Sequence, residues 1–354
     1  MLTQRLFPSA ILSGFLIIGV GLSSAVYAGT PNGEHLYTKN CSVCHGSKGS
    51  GGVGIPLDLA SFLNSISDEY LIKTIEHGRV GRTMPAFKKL GDENIKALVK
   101  YIRSFTETKT ITFDPTPIKG NIQHGKALFK SKCASCHGDH GQGGKGTGVT
   151  FSRPRDLSII PPALNNAGFL ASASDEMIKH TLINGRDKTP MNSFLKQGMS
   201  ESDINDVVAY IRHFETKQVP KLRDQKLDAI IVEESPYSLE KTLDNLKKAV
   251  IGKNFRIIRQ QTLDDGLADK GKQNKKQIIL YFCNFQFLNE SLALDPRIGL
   301  FLPCRVTIVQ QGNSVKVMAI NPLRLSKLFN NDELDDACKS MSNLYTEIIE
   351  EATL

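Results

Sequence analysis

Cys41–His45 reads Cys-Ser-Val-Cys-His and Cys133–His137 reads Cys-Ala-Ser-Cys-His, so one short pattern occurs twice in this chain of 354 residues. Each copy has two thiols three positions apart and an imidazole directly after the second thiol. This spacing is typical of covalent haem attachment, in which two thiols add to the two vinyl groups of one porphyrin. A zinc half-site and a redox dithiol use the same residue types, and a single copy would leave these alternatives open.

The two copies predict two covalently bound c-type haems. The histidine of each motif directly follows an attached cysteine, where it can bind the iron as an axial ligand. The cysteines expected to bind haem are Cys41, Cys44, Cys133 and Cys136, and the expected proximal iron ligands are His45 and His137.

The sequence around the motif is repeated as well. A glycine-rich loop follows each motif, then a helix opened by acidic residues, a methionine loop and an amphipathic helix. Asp68–Met84 aligns with Asp175–Met191 at an offset of 107 positions without a gap, whereas the cysteines are offset by 92. The second copy therefore has 15 additional residues, in the segment 141–163. Duplication of one fold unit is the simplest explanation.

Met84 and Met191 are the expected second axial ligands, because a neutral thioether favours Fe(II) and raises the reduction potential. Met84 lies in the pattern Gly-Arg-x-x-x-x-Met-Pro-x-Phe, whereas Met191 is preceded by a proline and followed by Asn192. Core packing is the alternative role for a methionine. The competing ligands for the second haem are His140, Met177, His180 and Met199.

Two further features are expected to support the haems. Pro56 is expected to place a backbone carbonyl against the ring of His45. Charged side chains beside the methionines are expected to pair with haem propionates, with a solvated loop as the alternative. These side chains are Arg79, Arg82, Arg186 and Lys188.

Residues 29–215 resemble two tandem class I cytochrome c domains, as in the dihaem cytochromes c of bacterial periplasms. The resemblance rests on both C-x-x-C-H motifs, on the two methionine loops, and on the closing helices with Tyr101-Ile-Arg and Tyr210-Ile-Arg. It implies a small helical fold around one haem per domain. It also implies that the motif histidine and the methionine before the last helix are the axial ligands.

The first residues are predicted to form a targeting signal rather than a folded element. Arg5 is followed by the apolar segment Ala10–Val20 and by small residues that end at Ala28. These features predict a cleaved signal peptide over residues 1–28. Covalent haem is attached outside the cytoplasm, so a bacterial periplasm is the expected location. An uncleaved N-terminal membrane anchor is the alternative.

The charge distribution bears on partners. The net charge is +8 at pH 7, and all but one unit of it lies before Val219. A basic face around a haem would steer an acidic redox partner, although general solubility would explain the excess equally well. No basic run is interleaved with aromatic residues, so nucleic-acid binding is not predicted. The expected partners are a redox protein as donor, another as acceptor, and a membrane complex as a further candidate.

The last third of the chain has a different pattern and predicts an α+β domain. The expected strands are 228–233, 255–259, 277–283, 305–310 and 314–320, and the expected helices are 238–251, 289–294 and 332–351. This third is similar to the domain-of-unknown-function family number three hundred and two. The similarity lies in Phe282-Cys283-Asn284, Asp295-Pro-Arg-Ile-Gly299 and Leu302-Pro303-Cys304. The function of that family is not settled, so the similarity implies a fold and little chemistry.

Three cysteines lie outside the haem motifs. Cys283 ends one predicted strand and Cys304 precedes another, so the two could meet. A disulfide is the default in an oxidising compartment. A metal site, a redox-active dithiol and two unpaired thiols are the alternatives. Cys338, on the last helix, is expected to be a buried free thiol.

The expected fold class is thus mostly α, with two cytochrome c-like domains, followed by an α+β domain. The expected ranges are a signal peptide at 1–28, haem domains at 29–107 and 120–215, linkers at 108–119 and 216–227, and the last domain at 228–354. The leading function is an exported dihaem electron carrier whose last domain docks a partner. The alternative is a periplasmic oxidoreductase that converts a small substrate, such as a sulfur compound or a metal ion, at Cys283 and Cys304.

Overall fold

In a computed structural model, side-chain caps set where the helices of the first haem domain begin. Asn32 accepts a hydrogen bond from the His35 amide and Ser67 accepts one from the Tyr70 amide, as N-cap residues do. The structure describes residues 30–107, 109–144, 160–187, 189–216 and 224–354. The helices of this domain are α1 (Gly33–Asn40), α2 (Ser42–His45), α3 (Ala60–Leu63), α4 (Asp68–His77) and α5 (Asp92–Arg103).

The predicted apolar stripe of the closing helix α5 is confirmed, since Ile95, Leu98, Val99 and Ile102 are all buried. Helix α1 crosses α5 so closely that a Cβ atom on Gly33 would lie 2.2 Å from the backbone oxygen of Ala97. Only glycine fits at that crossing, which accounts for the glycine at the start of α1.

The second haem domain repeats this arrangement. Its helices are α6 (Ile122–Lys132), α7 (Ala134–His137), α8 (Ala167–Ser172), α9 (Asp175–Asn184) and α10 (Glu201–His213). Gly125 of α6 lies against Asp206 of α10, where a Cβ atom would come within 1.9 Å of the backbone oxygen. The buried apolar residues of both haem domains belong to one hydrophobic cluster, so the two domains share a core.

The last domain contains a five-stranded antiparallel sheet in the order β1-β5-β4-β3-β2. Its strands are β1 (Ile230–Ser235), β2 (Arg256–Thr262), β3 (Gln277–Cys283), β4 (Cys304–Gln311) and β5 (Ser314–Ile320). The predicted hairpin of β4 and β5 is confirmed. In β5 the buried residues Val315, Val317 and Ala319 alternate with less buried ones, as in a sheet covered on one face.

Helices α11 (Leu239–Gly252) and α14 (Asp335–Thr353) supply apolar residues to the core of the sheet. Two shorter helices follow strands: α12 (Phe285–Leu294) lies between β3 and β4 in the chain, and α13 (Leu325–Phe329) lies between β5 and α14. The predicted bounds of β1, β2 and α12 differ from the observed ones by up to four residues, and those of α14 by up to three. Helix α12 begins earlier than expected because the Asn284 side chain caps it by accepting from the Phe287 amide.

Residues Asn32–Leu354 form one compact unit. Within the described residues, no helix combines the length and apolar character needed to cross a membrane. Some predictions lie outside the described residues. These are the signal peptide at 1–28, the propionate partner Lys188, much of the insertion at 141–163 and most of the linker at 216–227.

The two haem domains contact each other through equivalent residues. The guanidinium carbon of Arg79 lies 5.9 Å from the ring centroid of Phe169, and that of Arg186 lies 5.2 Å from the ring centroid of Phe62. Both pairs combine an arginine of one methionine loop with a phenylalanine of the other domain. The interface therefore has approximate two-fold character, as when two copies of one surface meet.

Candidate functional site

Each motif histidine is held by a backbone carbonyl. Nδ1 of His45 lies 2.8 Å from the oxygen of Ile55, and Nδ1 of His137 lies 3.0 Å from the oxygen of Pro162. A carbonyl can only accept, so Nδ1 carries the proton in both rings and Nε2 is the unprotonated nitrogen, the one able to bind a metal. The expected carbonyl of Pro56 was wrong by one residue. A proline favours an extended conformation of the residue before it. Here that residue is Ile55, and its carbonyl is the acceptor.

The motif cysteines occupy equivalent positions at the two sites. Cys41 and Cys133 end α1 and α6 with backbone bonds to Tyr37 and Phe129, both of 2.8 Å. Burial raises the pKa of both thiols to about 11, so they are neutral before any attachment. Cys44 is half-buried, and Cys136 is exposed.

The glycine-rich loop packs directly on the first motif. A Cβ atom on Gly54 would lie 2.6 Å from Cε1 of His45, and one on Gly52 would lie 2.8 Å from the backbone oxygen of Cys44. The loop backbone therefore lies flat against the ligand-bearing turn. A side chain at Gly54 would occupy space taken by the imidazole.

The two methionine loops share one turn. The Arg79 amide donates to the Met84 oxygen over 2.9 Å, and the Arg186 amide donates to the Met191 oxygen over 2.7 Å. Both methionine side chains are half-buried. Their roles as ligands stay a prediction.

The competing ligands at the second site differ in surroundings. Met177 is fully enclosed in the core, Met199 is buried and His140 is exposed. His180 is half-buried with its ring centroid 5.4 Å from that of Phe113, and burial lowers its pKa.

The arginines expected to pair with propionates differ in how well the protein already satisfies them. Arg79 donates to the hydroxyls of Tyr70 and Thr74. Arg82 forms an ion pair with Glu333 and donates to the backbone oxygen of Gly144. The interpretation of a solvated loop is therefore wrong for both residues, because protein atoms accept hydrogen bonds from their guanidinium N–H groups.

Arg186 is different, because its buried Nε has no hydrogen-bond partner among the described residues. Burial lowers the pKa of Arg186, and its positive charge contributes to lowering the pKa of His137, after the larger effect of burial. A buried guanidinium N–H without a partner, near a motif histidine, calls for an anion. A haem propionate has that chemistry, so the residues present fit a haem at the second site.

The last domain lies beside the first motif. Burial raises the pKa of Cys44, and the charges of Arg297 and Asp295 act on it in opposite directions. The turn 78–84 of the first haem domain is also hydrogen-bonded to Asn330 and paired with Glu333. Sequence reasoning missed these contacts. The one local feature that pointed to a special turn there was the pair Asn330-Asn331 after a short apolar helix. Asparagine tolerates the left-handed conformation in which many helices end.

The three remaining cysteines line one apolar cavity of about 70 Å³ together with Met341 and Tyr345. Cys283, Cys304 and Cys338 are free thiols in the structure, and Cys338 is buried as predicted. Burial raises the pKa of Cys304 and Cys338 to about 11. The described residues contain no group of three His, Cys, Asp or Glu side chains suited to a metal ion. The disulfide or redox pair of Cys283 and Cys304 stays a prediction.

Comparisons with known proteins agree with this organisation. Residues 28–102 match the family described as cytochrome C oxidase, cbb3-type, subunit III, residues 122–215 match cytochrome c, and residues 231–352 match the domain of unknown function DUF302. A Cbb3-type cytochrome c oxidase subunit CcoP of Azospirillum sp. (strain B510) is 26% identical over 197 residues, which cover 51% of this chain and 60% of the relative. The chain thus spans less than two thirds of the CcoP proteins that it matches.

Cytochrome c55X of Stutzerimonas stutzeri is 35% identical over 83 residues, which cover 23% of this chain and 73% of that protein. A crystal structure of an uncharacterized conserved protein DUF302 from Bacillus stearothermophilus aligns with a TM-score of 0.33 and 19% identity, over 36% of this chain and 99% of that one. The chain belongs to the c-type cytochromes, which bind haem covalently. It consists of two cytochrome c domains followed by a DUF302 domain, as the sequence predicted.

Proposed function

We propose that this chain carries single electrons between redox partners outside the cytoplasm, with one covalently bound haem in each cytochrome c domain. A bound haem supplies a one-electron couple. The observation that carries the proposal is the pair of equivalent donor sets. Each set has two thiols, one imidazole fixed at Nδ1 by a carbonyl, and one methionine loop closed by the same backbone bond.

In this proposal the residues of each site have distinct roles. The motif cysteines would hold the porphyrin, and His45 and His137 would bind the iron through Nε2. Met84 and Met191 would be the second protein ligands, and their neutral thioethers would suit the one-electron chemistry that a haem supplies. Arg186 would offer its Nε to a propionate.

Residues 1–28 serve as a cleaved signal peptide in this proposal, and the working compartment is the periplasm. An acidic redox protein is the proposed partner, because the basic excess lies before Val219. Several relatives are named as subunits of cbb3-type cytochrome c oxidases. A membrane oxidase complex is therefore a further proposed partner.

A reductive titration of the exported holoprotein tests the proposal. We expect uptake of two electrons per chain in one-electron steps, and rapid exchange with an acidic carrier protein that slows as salt screens the attraction. The variant Cys133→Ser/Cys136→Ser should take up one electron. Uptake of two electrons by that variant would contradict one haem per domain.

A second candidate is an oxidoreductase with its active site in the DUF302 domain. The observation that favours it is the cavity that Cys283, Cys304 and Cys338 share. This candidate requires that a sulfur compound or a metal ion reduce the wild-type protein, and that Cys283→Ser or Cys304→Ser abolish the reduction. Unchanged reduction in both variants would exclude it.

A further inference from the structure

Asn330 of the DUF302 domain binds the methionine loop of the first cytochrome c domain. Its Nδ2 donates to the backbone oxygens of Met84 and Arg79 over 2.9 and 3.0 Å. Its Oδ1 accepts from the Gly81 amide over 2.9 Å, and its backbone oxygen accepts from the Thr83 amide over 2.6 Å. One residue thus engages the backbone of four loop residues.

The loop is strained at the residue directly before the methionine. Thr83 has a φ of 75°, and a β-branched residue in the left-handed region is a genuine outlier. Such a conformation persists only where the surroundings fix it. The bond from Thr83 to Asn330 is one of the fixing contacts. Asn330 is itself left-handed, with φ 51° and ψ 45°, which asparagine tolerates.

A second contact holds the same loop. Arg82 forms an ion pair with Glu333, and both side chains are largely removed from solvent. Arg82 also donates to the backbone oxygens of Gln142 and Gly144 in the second cytochrome c domain, over 3.0 and 2.7 Å. The loop is therefore attached to both other domains.

The turn that carries Asn330 rests on a buried network. Arg297 binds Asp295 through Nε and Nη2 over 2.9 and 2.7 Å, and Asp295 is fully buried. Arg297 also donates to the Phe329 backbone oxygen over 2.6 Å, and Nδ2 of the Asn331 side chain donates to Asp295 over 3.2 Å. Asp295 and Arg297 belong to the Asp-Pro-Arg-Ile-Gly turn of the sequence. The network therefore fixes the backbone on both sides of Asn330.

The second methionine loop is built differently. Thr189 donates from its hydroxyl to the Arg186 oxygen over 2.7 Å, inside the loop itself. At an offset of 107 the residue equivalent to Thr189 is Arg82, which has no hydroxyl and whose guanidinium binds Glu333 and the Gly144 oxygen. The equivalent carbonyl, that of Arg79, receives the Asn330 side chain instead. Among its described residues, the hydrogen bonds found for the second loop stay within its own domain.

We propose that Asn330 is a positioning residue for Met84, and that the DUF302 domain sets how firmly this loop presents Met84 to the iron. The inference rests on the proposed function, in which Met84 is an axial ligand. It assigns the DUF302 domain a role at one of the two sites. The other methionine, Met191, serves as a control inside the same molecule.

The exported holoprotein with Asn330→Asp tests the proposal. Aspartate keeps the shape, the left-handed preference and the acceptor for Gly81, but it lacks both Nδ2 donations. We expect the methionine-to-iron(III) charge-transfer band to fall towards about half of the wild-type intensity. We also expect imidazole to bind one site of the oxidised protein about tenfold more tightly, because two hydrogen bonds no longer oppose displacement of Met84.

Asn343→Asp is the matched control, since Asn343 is exposed on α14, and it should leave both readings unchanged. If Asn330→Asp fails to fold, Asn330→Gly repeats the test. Glycine adopts the same backbone conformation and removes only the side chain.

Met84→Ala separates the two ways of failing. If Met84→Ala leaves the charge-transfer band at full intensity, Met84 is not a ligand and the proposed site is wrong. If Met84→Ala reduces the band, but both Asn330 variants keep wild-type band intensity and imidazole affinity, the ligand assignment stands and the positioning role is overturned.

Discussion

Arg186 lies over the ring of Phe62, with 5.2 Å from its guanidinium carbon to the ring centroid, and so joins the methionine loop of one cytochrome c domain to the other domain. Adding the offset of 107 to Phe62 gives Phe169, the residue that faces Arg79. Each copy of the repeated unit therefore supplies the arginine of one pair and the phenylalanine of the other. The contact places the two methionine loops at the same junction.

Replacing Arg186 should lower the reduction potential of the second site. Arg186→Gln removes a buried positive charge beside His137, and the more positive oxidised state then becomes easier to reach. The expected change is about 1 kcal/mol per electron, measured by spectroelectrochemical titration. Arg259→Gln is the control, because Arg259 also lies over a ring, that of Tyr281, but in the DUF302 sheet. Unchanged potentials in Arg186→Gln would show that Arg186 does not act on the site.

Adding a methyl group at Gly54 should disturb the first site. The new Cβ would lie 2.6 Å from the ring of His45, so the imidazole or the loop must move. We expect Gly54→Ala to lower the free energy of unfolding by about 1–3 kcal/mol, as overpacking does. Gly252→Ala is the control, since nothing lies within 4 Å of its Cβ position. Equal denaturation midpoints for the two variants would contradict the close packing of the loop.

In the reduced protein, whose Cys304 is a thiol, the stability of the DUF302 domain should fall in alkaline solution. Burial raises the pKa of Cys304 and Cys338 from 9.0 to about 11. The folded state then keeps protons that the unfolded chain releases, so stability is complete below pH 9.0 and declines as pH rises towards about 11. Denaturant titrations across this window measure the decline. Cys304→Ala/Cys338→Ala should flatten it, and an equally steep decline in that variant would rule out these thiols as the cause.

A thiol count on the exported protein tests the predicted pairing of Cys283 with Cys304. Both line one cavity as thiols, and an oxidising compartment favours a disulfide between two cysteines that can meet. We expect one alkylated cysteine, Cys338, after denaturation without reductant. Three alkylated cysteines would show that the pair stays reduced.

Local patterns predicted much of this structure. The spacing of thiols and imidazole located both motif turns, and the apolar stripes of α5 and α10 marked the helices that bury them. The strand β3 was predicted with the bounds observed, because an apolar run ending at Cys283 is unambiguous. In these places, neighbours in sequence decide the conformation.

Contacts between domains could not be predicted in this way. The carbonyl that fixes His45 belongs to Ile55 because Pro56 restricts the residue before it, a one-residue detail of loop geometry. Asn330 is more than two hundred positions from Met84, and no periodicity relates the two. Such contacts depend on how the folded domains pack against each other, which local sequence patterns do not encode.

The central claim is that the exported chain carries two covalently bound haems, one on each C-x-x-C-H motif. The most direct test is the intact mass of the mature protein. We predict a chain that begins after Ala28 and carries the added mass of two haems, which falls to one in Cys41→Ser/Cys44→Ser. A mature chain with one haem or none would contradict the account.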